Sequence, residues 1–244
     1  MDAPAPARLP LRVWVLASLA FVAVYGFMWT TVHVYVDLRP CQLRLDDPLY
    51  ALIPYDRRFY YVTHDLYYAA TALGLGWLLL QAWRGDHTGI VRWGAALSVQ
   101  AALRSITITL LPLCRVTVPP ASAAIEQIPR LELGLFSVPW RVWASNDLVF
   151  SGHVGEFLLL FWAIRSWPPG ARAALVVFQI VQVYALLATR GHYTIDVVLA
   201  VPCAYFADGV AVAAIARLSR GRAVSPALQA ERARAPSAAI SPAR

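Results

Sequence analysis

Lysine is absent: all 21 basic residues of the 244-residue chain are arginine. Charge of either sign is scarce. Only 14% of residues are charged, against about a quarter in an ordinary soluble domain, which argues against a soluble globular protein. Cysteine is scarce as well. Cys41, Cys114 and Cys203 are too few for a disulfide framework and lack the close spacing of a metal site. No internal repeat and no second domain can be read. The net charge of +7 brings nucleic acid to mind, but the arginines are scattered between apolar runs and gathered in the C-terminal tail. They read as topology signals and lipid headgroup contacts, and no nucleic-acid partner is expected.

What fills the chain is apolar sequence, 59% of it, arranged in runs long enough to cross a bilayer. Six spans are expected: Leu11–Val36, Phe59–Trp83, Trp93–Leu111, Asp147–Trp167, Ala171–Ala188 and Tyr193–Ala216. The first exceeds the apolar core of a secretory signal and reads as an uncleaved anchor. The second opens on Phe59, Tyr60, Tyr61, Tyr67 and Tyr68, an interfacial aromatic belt whose tyrosines also suit a quaternary ammonium group. Pro112 to Asn146 is expected as a long loop, with Trp140-Arg141-Val142-Trp143 lying along the interface. The fold class is therefore all-α, a polytopic membrane protein with six transmembrane helices. Residues 1–10 form an N-terminal tail, 11–216 a six-helix membrane catalytic domain, and 217–244 a disordered basic tail of Arg, Ala, Ser and Pro.

Six spans put both termini on one side. The tails and even-numbered connections carry twelve arginines and the odd-numbered connections eight, so both termini are expected in the cytoplasm. His153 and His192 enter their spans from odd-numbered connections. Both are therefore expected at the non-cytoplasmic face.

The stretch Thr189-Arg190-Gly191-His192-Tyr193-Thr194-Ile195-Asp196 is the centre of the chemical reading. If the run that follows is helical, His192 and Asp196 lie on one face, four residues apart. A carboxylate holding one ring nitrogen leaves the other free to attack, the usual preparation of a nucleophilic histidine. The plain alternative is a polar helix start with Thr194 as cap. Upstream, Ser151-Gly152-His153 opens another span. The glycine allows close backbone approach, the first amides of the helix and the serine hydroxyl suit a phosphate, and His153 has the position of a general acid. Arg104 lies inside the third span, where a charge is costly and usually functional; Arg190 and Tyr193 complete the candidate phosphate-binding set. Glu156, one turn beyond His153, and Asp147, in the preceding loop, are alternative supports for it. His64 is a further candidate headgroup contact. No metal or cofactor is expected, since arginine and backbone amides neutralise phosphate.

Phe150-Ser151-Gly152-His153 followed by Arg190-Gly191-His192-Tyr193-Thr194-Ile195-Asp196-Val197 resembles sphingomyelin synthases and the related inositol-phosphoceramide synthases, within the wider lipid phosphate phosphatase superfamily. Leu103-Arg104, Thr107 and Leu111-Pro112 are similar to an earlier family motif. Val154 stands where the family carries threonine, and Asn146-Asp147 where Gly-Asp is frequent. The lysine-led motif of the phosphatase branch has no counterpart in a chain without lysine. The resemblance implies His192 as nucleophile, Asp196 as its partner and His153 as leaving-group acid, acting on membrane lipids. The expected reaction moves a phosphocholine, phosphoethanolamine or phosphoinositol headgroup from a glycerophospholipid to a ceramide or diacylglycerol-like alcohol. Hydrolysis of a lipid phosphate is the alternative, and a non-catalytic lipid-binding scaffold is a third reading.

Overall fold

The computed structural model describes residues 11–30, 43–111, 113–114, 131–133, 136–138 and 149–220. Six long helices lie among them: α1 (Leu11–Thr30), α2 (Tyr67–Trp83), α3 (Thr88–Leu110), α4 (Gly152–Ala163), α5 (Pro169–Ala188) and α6 (Thr194–Arg220). Each falls on one of the apolar runs. Before α2 the chain passes through a helical turn at Leu49–Leu52, a 3-10 turn at Arg57–Phe59 and a π turn at Val62–Leu66. The aromatic stretch beginning at Phe59 therefore winds into its helix rather than starting as one.

Non-helical pairing is small among the described residues. Leu131–Leu133 and Phe136–Val138 form an antiparallel pair with Leu133 opposite Phe136, inside a stretch expected to be loop. Leu43 forms a parallel bridge with Leu113. Cys114, beside that bridge, is disulfide-bonded, whereas Cys203 is free. The low cysteine count excluded a framework of bridges but not a single staple between connections. Trp140–Trp143 and the tails 1–10 and 221–244 lie outside the described residues; α6 itself runs past Ala216 to Arg220.

Helix α3 is central, packing against α1, α2, α4 and α6. The inward stripe of α6 is Ala200, Ala204, Ala207 and Ala211, all buried, while Val198, Val201, Tyr205, Phe206 and Val212 face out, Tyr205 with 74% of its surface exposed. Small residues inside and large apolar residues outside invert the pattern of a soluble helix. They let backbones approach closely where water supplies no drive between helices. Gly74 serves the same end between α2 and α4, for a Cβ there would stand 2.6 Å from Leu160 Cδ2.

Among the described residues, two helices are long and apolar enough to cross a membrane, Pro169–Ala188 and Thr194–Ser219. Only 28% and 22% of their most apolar windows are buried, so their apolar faces are not consumed by the protein's own core. Helix α4 has 12 residues and spans about 18 Å, short of a hydrocarbon core of about 30 Å. The expected span 147–167 is thus realised as a shorter helix, because Ser151 caps it on one side and the Pro168-Pro169 start of α5 follows on the other.

Asp208 lies deep in α6. Arg92, near the start of α3, grips it with Nε on Oδ1 at 2.6 Å and Nη2 on Oδ2 at 2.5 Å. A carboxylate in an apolar helix needs such a partner. Removing one member strands the other charge in a partly buried position, which destabilises the fold. We expect Asp208→Ala to lower the unfolding midpoint in detergent sharply. The double variant Arg92→Met with Asp208→Leu should recover most of that loss.

Candidate active site

Buried charge organises the end of the bundle where α3 stops and α4 and α6 begin. Arg104 is 4% exposed. Its Nη1 donates to the carbonyl oxygen of Phe150, and its guanidinium carbon lies 5.8 Å over the Phe150 ring. A Cβ on Gly152 would stand 3.0 Å from Arg104 Nη1. Glycine at this position therefore makes room for a guanidinium, whereas the sequence suggested room for an oxyanion. Gly155 does the same one turn on, where a Cβ would meet Gln100 Nε2 at 2.5 Å. Thr107 and Thr109 return their hydroxyls to carbonyls of α3 itself, the back-bonding habit of helical threonine.

Ser151 is the N-cap of α4, accepting from Val154 N–H. Its own amide donates to the main-chain oxygen of Asp196 at 2.9 Å. The two motifs are thus tied by a backbone hydrogen bond. Their rings meet as well: His153 and His192 lie 5.9 Å apart between ring centroids, at 72°. The Tyr67 ring lies 4.7 Å from His153 on another side, and its hydroxyl donates to Glu156 Oε2 at 2.9 Å. Glu156 thus reaches the neighbourhood of His153 through a tyrosine. Asp147 lies outside the described residues. His64 falls in the π turn Val62–Leu66, and its side chain also lies outside them.

His192 is buried, and its Nδ1 stands 3.5 Å from Asp196 Oδ2, at the long limit of a hydrogen bond. Such contacts commonly tighten only around a substrate. Helix α6 begins at Thr194, so His192 precedes it. What turns Asp196 back is capping: its Oδ2 accepts from Tyr193 N–H at 3.0 Å, the carboxylate half of a capping box.

The turn that carries His192 is held from the segment before α2. Arg190 has φ 58° and ends α5 with paired bonds, Gly191 N–H to Leu186 O at 2.9 Å and Arg190 N–H to Leu187 O at 3.1 Å, the pattern usually given to glycine. Its guanidinium donates to the carbonyls of Leu187, Tyr50 and Ile53 and stacks 4.0 Å over the Tyr50 ring. Expected at phosphate, Arg190 instead closes this clamp. Tyr50 in turn donates to the His192 carbonyl at 2.7 Å. Burial foremost, then the nearby charge of Asp47, raises the Tyr50 hydroxyl above the usual phenol range, which keeps it a donor at any ordinary pH. Asp47 accepts from Thr194 N–H at 2.5 Å and from Thr194 Oγ1 at 2.9 Å. Tyr193, also expected at phosphate, is buried, with its hydroxyl donating to Cys114 O at 3.1 Å. Asp47 and Tyr50 escaped the sequence reading: an Asp-Pro dipeptide announces only a turn, and nothing local points to a partner more than a hundred residues away.

The fit between Gly152 and Arg104 yields a test. A methyl group at 3.0 Å forces the guanidinium to move. Misplacement of about an ångström in a site can cost about a hundredfold in rate. We expect Gly152→Ala to accumulate and fold but to lose about tenfold or more of whatever turnover the wild type shows, measured per folded molecule.

A search of the curated proteins finds no match to this chain. Residues 145–207 match the family model described as PAP2 superfamily C-terminal, a segment that runs from just before Ser-Gly-His, through the clamped His192 turn, into α6. That match, with two outward-facing apolar helices, suggests a membrane protein. It supports placing residues 145–207 with the lipid phosphate phosphatase superfamily, whose members are phosphatases and phosphotransferases of lipid phosphates.

Proposed function

We propose that the protein is a six-span membrane phosphotransferase that moves a phospholipid headgroup to a ceramide or diacylglycerol-like alcohol through a phosphohistidine. The observation that carries the reading is the pair of imidazoles at 5.9 Å, one of them backed by the carboxylate of Asp196. A nucleophilic nitrogen approaches phosphorus at about 3–3.5 Å, and a general acid reaches the departing oxygen across about 2.6–3.2 Å. Two rings at the observed separation suit the two sides of one phosphoryl group.

In the first step a His192 nitrogen forms a bond to phosphorus as the bond from phosphorus to the glycerolipid oxygen breaks. His153 delivers its proton to that oxygen, and diacylglycerol leaves. In the second, His153 takes the proton of the acceptor alcohol. Its oxygen bonds to phosphorus as the bond to His192 breaks. Asp196 holds His192 and balances the charge of the phosphorylated ring. Arg104 carries the positive charge behind the Ser-Gly-His turn. The odd-numbered connections that carry both histidines face away from the cytoplasm, where donor headgroups of the outer leaflet are available. The same first step serves a phosphatase if water replaces the alcohol, a reading that the superfamily match favours equally. Product analysis separates the two: a new phospholipid for transfer, and release of the headgroup phosphate into water for hydrolysis.

His192→Ala should abolish turnover while the protein still accumulates in the membrane, and Asp196→Asn should lose several orders of magnitude because an amide favours the wrong tautomer. Substantial residual activity in purified His192→Ala protein would remove the nucleophile. His153→Ala should be slow with a natural lipid donor and largely restored with a nitrophenyl ester, whose leaving group departs without a proton. No such restoration should occur for His192→Ala. If the leaving group makes no difference to His153→Ala, His153 is not the acid.

A further inference from the structure

We propose that Asp47 is a positioning residue for the His192 nucleophile: it caps helix α6 from a separate part of the chain and so sets where Asp196 meets His192. The inference rests on the reading of His192 as nucleophile.

The start of α6 has an unusual problem. The first amides of a helix lack partners within the helix, and here the preceding residue is Tyr193, whose side chain cannot cap because its hydroxyl is committed to Cys114 O. Asp196 satisfies the Tyr193 amide. The next amide, that of Thr194, is satisfied by Asp47 Oδ2 at 2.5 Å, while Oδ1 accepts the Thr194 hydroxyl at 2.9 Å. Oδ1 also accepts Leu49 N–H at 3.0 Å, so the carboxylate is fixed to its own segment. It therefore joins two segments rigidly. Its negative charge also lies at the positive end of the helix dipole.

The geometry gives this carboxylate a consequence beyond holding a helix end. Between the Thr194 amide and the candidate nucleophile there is one residue. On the other side of that residue Tyr50, three positions from Asp47, holds the His192 carbonyl at 2.7 Å. Asp56 N–H, farther along the same segment, bonds Ala188 O at 3.0 Å, and Arg190 returns two bonds to Tyr50 and Ile53. The His192 main chain is thus gripped on both sides by residues 47–56. The His192–Asp196 contact is long at 3.5 Å and has little strength to align itself. Alignment comes instead from the fixed positions of Tyr193 and Thr194. Freed of Asp47, the first turn of α6 can rotate, and Asp196 turns with it. Substrate binding does not run through Asp47, which touches neither histidine ring, so the loss falls on the chemical step.

The test uses full-length protein in nanodiscs holding phosphatidylcholine, phosphatidylethanolamine and phosphatidylinositol as donors and ceramide as the acceptor alcohol. Diacylglycerol release is followed whichever headgroup is taken, per folded molecule. Asp47→Ala should lower kcat about 10- to 100-fold with KM within twofold of wild type. Asp47→Asn keeps the shape and an acceptor oxygen, and should fall between the two; it decides the matter alone if the alanine variant does not fold. Asp46→Asn, exposed and adjacent, should match wild type. The positioning role is overturned if Asp47→Ala or Asp47→Asn keeps wild-type kcat, if the loss appears in KM, if Asn is no better than Ala, or if Asp46→Asn loses as much. His192→Ala runs in parallel. If it remains active, or if wild type releases no diacylglycerol, the functional reading itself fails and the positioning role goes with it. An inactive His192→Ala beside a fully active Asp47→Ala sinks the positioning role only.

Discussion

A guanidinium buried among helices has to find acceptors, and Arg104 finds one in the carbonyl of Phe150. Much follows from that bond. Phe150 is held under the cation, so the chain must turn at once into α4 with no residue to spare. A side chain at Gly152 would occupy the guanidinium's place. Ser151, fixed between them, points its amide to the main chain of Asp196 and its hydroxyl to the first turn of α4. One charge in an apolar bundle, where an unpaired ion is untenable, thereby dictates the local course of three helices. It also leaves a positive centre behind the two histidines without exposing it.

The histidines themselves are placed mostly by main chain. His192 has one long contact with Asp196, and His153 lies against the Tyr67 ring. The main chain around His192 is held instead, by Tyr50 on the His192 carbonyl, by Asp47 on the Thr194 amide and by the Arg190 turn before it. Such an arrangement fixes where the His192 ring lies through the backbone around it. It also gives a non-glycine residue at positive φ a physical reason. Arg190 adopts a conformation that costs about 1–2 kcal/mol for an L-residue, and three carbonyl contacts with a stacked tyrosine offset it.

Periodicity, length and apolarity made the helices legible in the sequence, since those signals are local. The His192–Asp196 relation was legible for the same reason, although the spacing works through a capping turn rather than a helical face. Arg104 stood out because charge is rare in apolar runs. The remainder depends on partners distant in the chain. Asp208 carries no local signal inside α6, because its meaning lies in Arg92. Asp47 and Tyr50 looked like loop. The carbonyl contacts of Arg190 with Tyr50 and Ile53 likewise join segments far apart in the sequence. The strand pair at 131–138 was missed because three-residue strands fall below what alternation can signal.

The ion pair of Arg92 with Asp208 has a bearing on motion. Arg92 and Arg104 are twelve residues apart on α3, and Asp196 and Asp208 are twelve apart on α6, a run of about 18 Å on each. The helices are antiparallel, so the pair locks them at one end while Arg104, Phe150 and Ser151 lock them to the Asp196 end at the other. Sliding α6 by a turn would break both anchorages together, and the alanine stripe between them offers no intermediate resting place. The α3–α6 pair is therefore a rigid spine. Whatever opening is needed to admit a ligand falls to the elements around it, α2 and the winding segment that leads into it, rather than to a piston stroke through the centre.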